Sequence, residues 1–331
     1  MSSTTSAVDR ATAALYGLAI GDALGMPTQM MSRESITARW GTLSGFEPAD
    51  DDHPLAAGLA AGSITDDTEQ ALLLARHLVG NAGHVDAAEF ARLLIAWEDD
   101  MRARGSLDLL GPSTKSAVAA VLAGVPVGEA GRFGTTNGAS MRVTPVGIAV
   151  RSTDLNLLVE RVVEASRVTH NTGVAIAGAS AVAAAVSGGI DGATVRESIP
   201  IAIRAATIGH GRGFWVAAAD VSRRIEWATG LVDAQHVERS IGDIYELVGT
   251  SLATQESVPA AFAILALYPD DPWQAVLAAA SIGGDSDTIA AMVGAVAGAC
   301  GGAWPEHAIE KVLTVNDLDL EPIAASLVAL R

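Results

Sequence analysis

The chain has 331 residues and half of them are hydrophobic, so it can bury one large core or two modest ones and is too apolar to be disordered. Its 21 basic and 38 acidic residues give a formal net charge of −17, which repels phosphate backbones and argues against a nucleic-acid partner. The single cysteine, Cys300, excludes an internal disulfide, and the first 15 residues show no signal-peptide pattern, so we expect a cytoplasmic protein.

Apolar residues recur at helical spacing through most of the chain, beginning at 8–25. No long run alternates as a β-strand does, and no apolar stretch reaches the roughly 20 residues of a membrane helix. We therefore predict no membrane segment and one all-α domain over 1–331, a compact multi-helix bundle. A Gly/Pro/Asp-rich loop is predicted at 41–62 and a glycine-broken loop at the start of 131–150. The other predicted helical segments are 67–80, 85–105, 111–124, 155–170, 172–189, 193–211, 214–229, 237–252 and 270–282, followed by a helix that starts near Thr288.

Two carboxylates, Asp285 and Asp287, stand at the start of an Ala/Gly-rich apolar segment. Two glycines precede them, so the pair is predicted to lie in a turn, where alternate side chains can point at one spot as they do in calcium-binding loops. The simpler interpretation is helix N-capping, for which Asp, Ser and Thr are the preferred residues.

A second acidic cluster repeats this pattern in Thr65, Asp66, Asp67 and Thr68, again before an amphipathic helix. Asp66 and Glu69 could form a capping box, but one cap needs only one side chain, and adjacent carboxylates repel each other unless a cation is near. Carboxylate and hydroxyl oxygens suit Mg²⁺ or Mn²⁺. Spacing alone leaves open whether the clusters are two helix caps or one shared metal site.

The chain resembles the ADP-ribosylglycohydrolase family, whose members include hydrolases that remove ADP-ribose from modified arginine or serine. The paired T-D-D and G-G-D-x-D-T motifs are the most specific part of the likeness, which covers nearly the whole chain. The similar segments are "GLAIGDALGMPTQ" (17–29), "SITDDTEQAL" (63–72), "DLLGPSTKSAV" (108–118), "TNGASMRVTPVGI" (136–148), "SRVTH" (166–170), "ESVPAAFAIL" (256–265) and "GGDSDTIAAMVGAVAGA" (283–299).

The resemblance implies an all-α fold around a centre of two divalent cations, Mg²⁺ or Mn²⁺. The implied metal ligands are Thr65, Asp66, Asp67, Asp285, Asp287 and Thr288, and Asp67 or Asp285 would accept a proton from the attacking water. The implied substrate-binding residues are Gln29, Asp108, Gly138, Ser140 and His170.

Four of the five substrate residues also have a simpler interpretation. Gly138 and Ser140 could form an ordinary glycine turn, His170 could be a cap or a surface residue, and Asp108 could be a loop acid. Asp22 is expected to support the site by hydrogen bonding and not to bind metal. Gln29 departs from many relatives, which have a glutamate there, and an amide cannot act as a carboxylate acid or base.

We therefore expect hydrolysis of a ribosyl glycosidic bond, with an ADP-ribosylated protein or a ribosylated small molecule as substrate. One alternative is a hydrolase of nucleosides or other small N-ribosides on the same metal centre. Another is a non-catalytic member that binds a ligand or has a structural role.

Overall fold

The computed structural model describes residues 5–106 and 110–331, and these ranges contain 18 α-helices and no β-strand, which confirms the all-α prediction. The isolated bridges Thr136–Ala253 and Thr172–Phe214 are the extended pairings in these ranges. A 3₁₀ helix (Met26–Thr28) follows α1, and a π-helical turn (Ile244–Val248) follows α13. The helices are α1 (Ala7–Gly25), α2 (Arg33–Trp40), α3 (Asp66–Gly80), α4 (Ala87–Ala103), α5 (Pro112–Leu122), α6 (Val127–Ala130), α7 (Gly138–Met141), α8 (Thr144–Ala149), α9 (Leu155–Ser166), α10 (Gly173–Ile190), α11 (Val195–His210), α12 (Val221–Leu231), α13 (Val237–Asp243), α14 (Thr254–Leu267), α15 (Pro272–Ala280), α16 (Ser286–Ala299), α17 (Glu306–Asn316) and α18 (Glu321–Val328).

Helix α10 lies at the centre of the fold, and every one of its residues is buried. Within the described ranges it alone is long and apolar enough to cross a membrane by length and composition. Because its Ala- and Gly-rich surface packs on all sides against helices that include α8, α9, α11 and α16, it is a core helix of this fold.

Helices α1 and α16 pack backbone to backbone because small residues line their interface. A Cβ atom at Gly21 would lie 2.0 Å from the carbonyl oxygen of Ala290, and one at Gly17 would lie 2.1 Å from that of Gly294. Further along α1, a Cβ at Gly25 would lie 2.4 Å from the Cα of Asp287. This close approach holds the start of α16, with its acidic turn, against the end of α1.

Some predicted helix ends were wrong. Residues 214–220 are not helical, and α12 begins at Val221, where the Asp220 side chain accepts a hydrogen bond from the Arg223 backbone N–H as its N-cap. The helix after the second acidic turn starts at Ser286 and not near Thr288. The predicted segment 237–252 ends early because Gly249, with φ at 87°, leaves the helical conformation.

Candidate active site

The first acidic cluster is anchored from beneath by a buried carboxylate on α1. Asp22 is fully buried and accepts hydrogen bonds from the Thr65 backbone N–H (3.0 Å) and hydroxyl (2.8 Å) and from the Thr68 backbone N–H (3.1 Å) and hydroxyl (2.5 Å). Asp22 therefore holds the first turn of α3, which is the supporting role predicted for it.

Capping explains only one residue of this cluster. Thr65 is the N-cap of α3, and its side chain accepts from the backbone N–H of Asp67, so the predicted capping box of Asp66 and Glu69 is wrong. The Glu69 carboxylate accepts instead from the Trp97 indole N–H at 2.5 Å. The two aspartates of the cluster are thus available for a role other than capping.

The predicted glycine turn precedes the second cluster, but it contains only one of the two aspartates: Asp285 ends the turn, whereas Asp287 lies in the first turn of α16, so the prediction that both lie in the turn is wrong for Asp287. Gly283 and Gly284 have φ values of 88° and 75°, in the left-handed region that favours glycine. Asp285 occupies the N-cap position of α16 but makes no capping hydrogen bond. Its Oδ2 accepts from the Asn137 side-chain amide at 2.5 Å instead, so the capping interpretation does not account for Asp285.

The two acidic clusters meet. The Thr288 hydroxyl at the start of α16 donates to Asp67 Oδ2 at the start of α3, at a distance of 3.1 Å. Asp67, Asp287 and Thr288 are all buried, so this contact lies inside the fold and not on its surface.

Burial raises the pKa values of the carboxyl groups at this site, and at Asp67 neighbouring negative charges add to it. Burial, and then the neighbouring charges led by Asp287 and Asp22, raise the pKa of Asp67 well above its usual value. Burial raises the pKa of Asp22 to about 6 although Thr68 and Thr65 donate to it. The pKa of Asp285 is also raised to about 6 by burial, against the opposing hydrogen bond from Asn137. A cation bound among these groups would relieve the repulsion.

The donor chemistry fits a hard divalent cation. Asp67 Oδ1 is buried and has no hydrogen-bond partner, which is costly for a carboxylate oxygen unless another group binds it. The surrounding donors are carboxylate and hydroxyl oxygens, as Mg²⁺ and Mn²⁺ prefer. As the side chains are placed, no group of three or more His, Cys, Asp or Glu residues within 5–106 and 110–331 is arranged to hold a metal ion.

A cavity of about 310 Å³ opens over the junction of the two clusters. Asp66, Asp285, Asp287 and Thr288 contribute to its wall, whereas Thr65 and Asp67 do not. The other lining residues are Gln29, Met30, Leu55, Leu110, Gly111, Pro112, Thr114, Lys115, Thr136, Asn137, Gly138, Met141 and Leu252.

The predicted substrate residues fall into two groups. Gln29 and Gly138 line the cavity, and the buried Nε2 of Gln29 has no hydrogen-bond partner. Ser140 and His170 are buried behind the wall, and the Ser140 backbone N–H donates to the Asn137 carbonyl. His170 is neither a surface residue nor a helix cap, because Thr172 caps α10. Substrate contact by these four residues stays a prediction, and Asp108 lies outside the described residues.

Three cavity residues were not singled out from the sequence. Asn137 orients Asp285 through a hydrogen bond, and Thr136 lies beside Asn137 on the cavity wall. Lys115 places a positively charged side chain at the rim. Asn137 and Lys115 could both have been identified from the sequence. Asn137 directly precedes Gly138 in the segment 136–148, and Lys115 is one of only two lysines in the chain.

Comparisons with known proteins agree on one family. The model of the family described as ADP-ribosylglycohydrolase matches residues 3–331. The protein described as uncharacterized protein YegU of Escherichia coli (strain K12) is 35% identical over 332 residues, covering 98% of this chain and 97% of the relative. ADP-ribosylarginine hydrolase Tri1 of Pseudomonas putida (strain GB-1) is 28% identical over 314 residues, covering 92% and 75%. A solved structure described as an ADP-ribosylglycohydrolase-related protein complex shares the fold, with a TM-score of 0.67, 22% identity and 98% coverage of both chains.

Proposed function

The chain belongs to the ADP-ribosylglycohydrolase family, and we propose that it is a metal-dependent hydrolase that releases ADP-ribose from a modified protein or small molecule. The observation that carries this proposal is the contact of Thr288 with Asp67, which joins the two acidic turns beneath one cavity. The relative from Pseudomonas putida is described as acting on ADP-ribosylarginine, which supports the same reaction class.

Two divalent cations, Mg²⁺ or Mn²⁺, are the proposed cofactors. Bound cations would lower the pKa of a water molecule and offset the carboxylate charge. The residues proposed to hold them are Thr65, Asp66, Asp67, Asp285, Asp287 and Thr288, whose oxygen donors and unpartnered Asp67 Oδ1 fit the preference of these ions.

Asp285 is the better placed of the two proposed proton acceptors. It lines the cavity, whereas Asp67 lies beneath it. Asn137 fixes the position of the Asp285 carboxylate through its 2.5 Å hydrogen bond.

Lys115 is the proposed contact for the anionic part of the substrate. Among the described residues that line the cavity it is the one lysine or arginine, in a chain of net charge −17. It is exposed at the rim, where an ammonium group can bind a phosphate oxygen as a point charge. A diphosphate-containing substrate would use it, whereas a neutral nucleoside would not.

A small N-riboside such as a nucleoside is the second candidate substrate, and Gln29 favours it. The family resemblance places a glutamate there in many members, so the amide points to a changed ribose contact. Gln29 lines the cavity, and its buried Nε2 has no hydrogen-bond partner. A ligand-binding or structural role without catalysis is the third candidate.

Turnover with defined substrates distinguishes the three candidates. The protein is incubated with Mg²⁺ or Mn²⁺, or with EDTA, on ADP-ribosylated arginine and serine peptides and on a panel of nucleosides. We expect EDTA-sensitive release of ADP-ribose. Release of free base from nucleosides would support the second candidate, and metal binding without any turnover would support the third.

A further inference from the structure

Arg142 is a buried cation directly behind the acidic site. It is 1% exposed, and its guanidinium carbon lies 5.5 Å from the centre of the Phe90 ring. Its terminal nitrogens donate to two neutral groups, Gln70 Oε1 at 3.1 Å and the Thr169 hydroxyl. Burial lowers its pKa to about 10, against the attraction of Asp66, so it stays charged at neutral pH. Burying a charge that donates to neutral groups costs folding free energy, so we expect Arg142 to have a role at the site.

The first branch from Arg142 leads to Asp66. A guanidinium can only donate, so the Gln70 side chain must turn its oxygen towards Arg142. Its nitrogen then faces Asp66 and donates to Oδ2 at 2.8 Å. If Gln70 were flipped, its oxygen would face the carboxylate and repel it. Arg142 therefore sets the orientation in which Gln70 holds Asp66.

The second branch leads to the opposite cavity wall. The Thr169 hydroxyl accepts from Arg142, so its own proton can go to His170 Nδ1, 2.7 Å away. Burial, and then the charge of Arg142, hold the pKa of His170 well below its usual value, so the ring is neutral. Its proton then lies on Nε2 and is donated to the Thr136 hydroxyl at 3.0 Å. Thr136 lines the cavity, and its hydroxyl proton is left to donate to a bound substrate.

We infer that Arg142 is a positioning residue that fixes which groups donate hydrogen bonds on both walls of the site. It holds Asp66 through Gln70, and it makes Thr136 a hydrogen-bond donor through Thr169 and His170. The inference rests on the proposed function, because it gives Asp66 and Thr136 their roles in metal and substrate binding. The inference also explains why His170 is buried, because its ring connects the two walls. The ring lies directly behind Gly138, where an added Cβ atom would be 2.9 Å from His170 Cε1.

The first test measures binding of Mn²⁺ by calorimetry, without substrate. We expect Arg142→Met to weaken binding roughly 10- to 100-fold, as the loss of a residue that orients a metal ligand typically does. Gln70→Met should have a similar effect, and the double variant should lose little more than the larger single loss, because both act along one path. Arg142→Lys, which can reach only one of the two acceptors, should recover part of the affinity.

Arg331→Met is the matched control. The Arg331 side chain is also buried and donates to Gly147 O and Ile148 O, away from the acidic turns. It should lower the melting temperature and leave Mn²⁺ affinity unchanged. Unchanged affinity in folded Arg142→Met and Gln70→Met, or strictly additive losses in the double variant, overturns the inference. If the unaltered protein binds no divalent ion, the proposed metal centre fails and this inference fails with it.

The second test needs no metal and remains decisive if Arg142→Met does not fold. Nitrogen-15 spectra of labelled histidine side chains distinguish the two neutral tautomers, and His170→Gln assigns the signal. We expect the Nε2–H tautomer for His170 in the unaltered protein and in Arg331→Met, with both tautomers populated in Arg142→Lys or Arg142→Met. An Nδ1–H tautomer or a protonated ring at neutral pH in the unaltered protein contradicts the proposed donor direction.

Discussion

Thr288 donates a 3.1 Å hydrogen bond to Asp67, which lies 221 residues earlier in the chain. This bond joins the first turns of two helices that begin in the same way, with a glycine-containing turn followed by acidic and hydroxyl residues. The glycine-lined contact of α1 with α16 makes the meeting possible, because it brings the end of α1, and with it Asp22, against the start of α16.

The glycine contact between α1 and α16 should be intolerant of a single methyl group. In Gly21→Ala the new Cβ would lie 2.0 Å from Ala290 O, so the helices must separate, and we expect a loss of about 2 kcal/mol in the free energy of unfolding. Gly230→Ala is the control: Gly230 is exposed in α12 and a Cβ there meets nothing within 4 Å, so about 0.5 kcal/mol should be gained. Denaturant unfolding measures both. Equal stability of the two variants would show that the backbones do not pack this closely.

Lys115 should govern affinity for anionic substrates. Lys115→Ala should raise the KM for an ADP-ribosylated peptide on the order of tenfold and leave kcat little changed, because it removes a charge-assisted contact remote from the reacting bond. The effect should shrink at high salt. Lys311→Ala, which removes the other lysine of the chain, is the control. A fall in kcat without a change in KM would refute the proposed phosphate contact.

Gln29 should affect the choice between substrates. Gln29→Glu replaces the amide of a cavity-lining residue, whose buried Nε2 has no hydrogen-bond partner, by a carboxylate that can only accept hydrogen bonds. We expect the ratio of kcat/KM for ADP-ribosylated peptide and for nucleoside to change at least severalfold. Steady-state kinetics on both substrates measure this ratio, and an unchanged ratio would mean that position 29 does not contact the substrate.

Acid should weaken a contact far from the site, between Asp191 and Arg331. Burial of Asp191 opposes ionisation, but hydrogen bonds from Arg331 and Ser152 outweigh it and lower its pKa below 3.8. The ionised carboxylate therefore stabilises the fold above pH 3.8, and this stabilisation is lost as the pH falls through the lowered pKa. Asp191→Asn should cost about 1 kcal/mol at pH 7, since the group is partly exposed, and progressively less below pH 3.8. Urea unfolding across this range tests it; a constant difference would contradict the assignment.

Much of the architecture could be predicted from the sequence because it depends on local patterns. Helical periodicity gave most of the helices, and the paired glycines predicted the turn before Asp285. The prediction of a helix over 214–220 was wrong because it rested on the helical composition of these residues. In the structure the Gly173 backbone N–H donates to the Phe214 carbonyl, and the Asp220 cap starts α12 only at Val221.

The parts that could not be predicted depend on contacts between distant residues. Arg142 lies in the middle of the segment 136–148, which is similar to the family, yet its spacing says nothing of Gln70, 72 residues away. For His170, predicted to bind substrate, the sequence left a cap or surface position open as the alternative, because its burial arises only when the 131–136 loop packs over it. Local patterns identified the acidic turns, and only the tertiary structure supplied the residues that orient them.

Binding of Mn²⁺, followed by electron paramagnetic resonance, tests the central claim most directly. The account predicts two Mn²⁺ ions per chain whose spectra show magnetic coupling, because both are held where the turns at Asp67 and Asp285 meet. Asp285→Asn should abolish the coupled signal while the circular dichroism of the helices is retained. No specific Mn²⁺ binding, or a coupled pair that persists in Asp285→Asn, would contradict it.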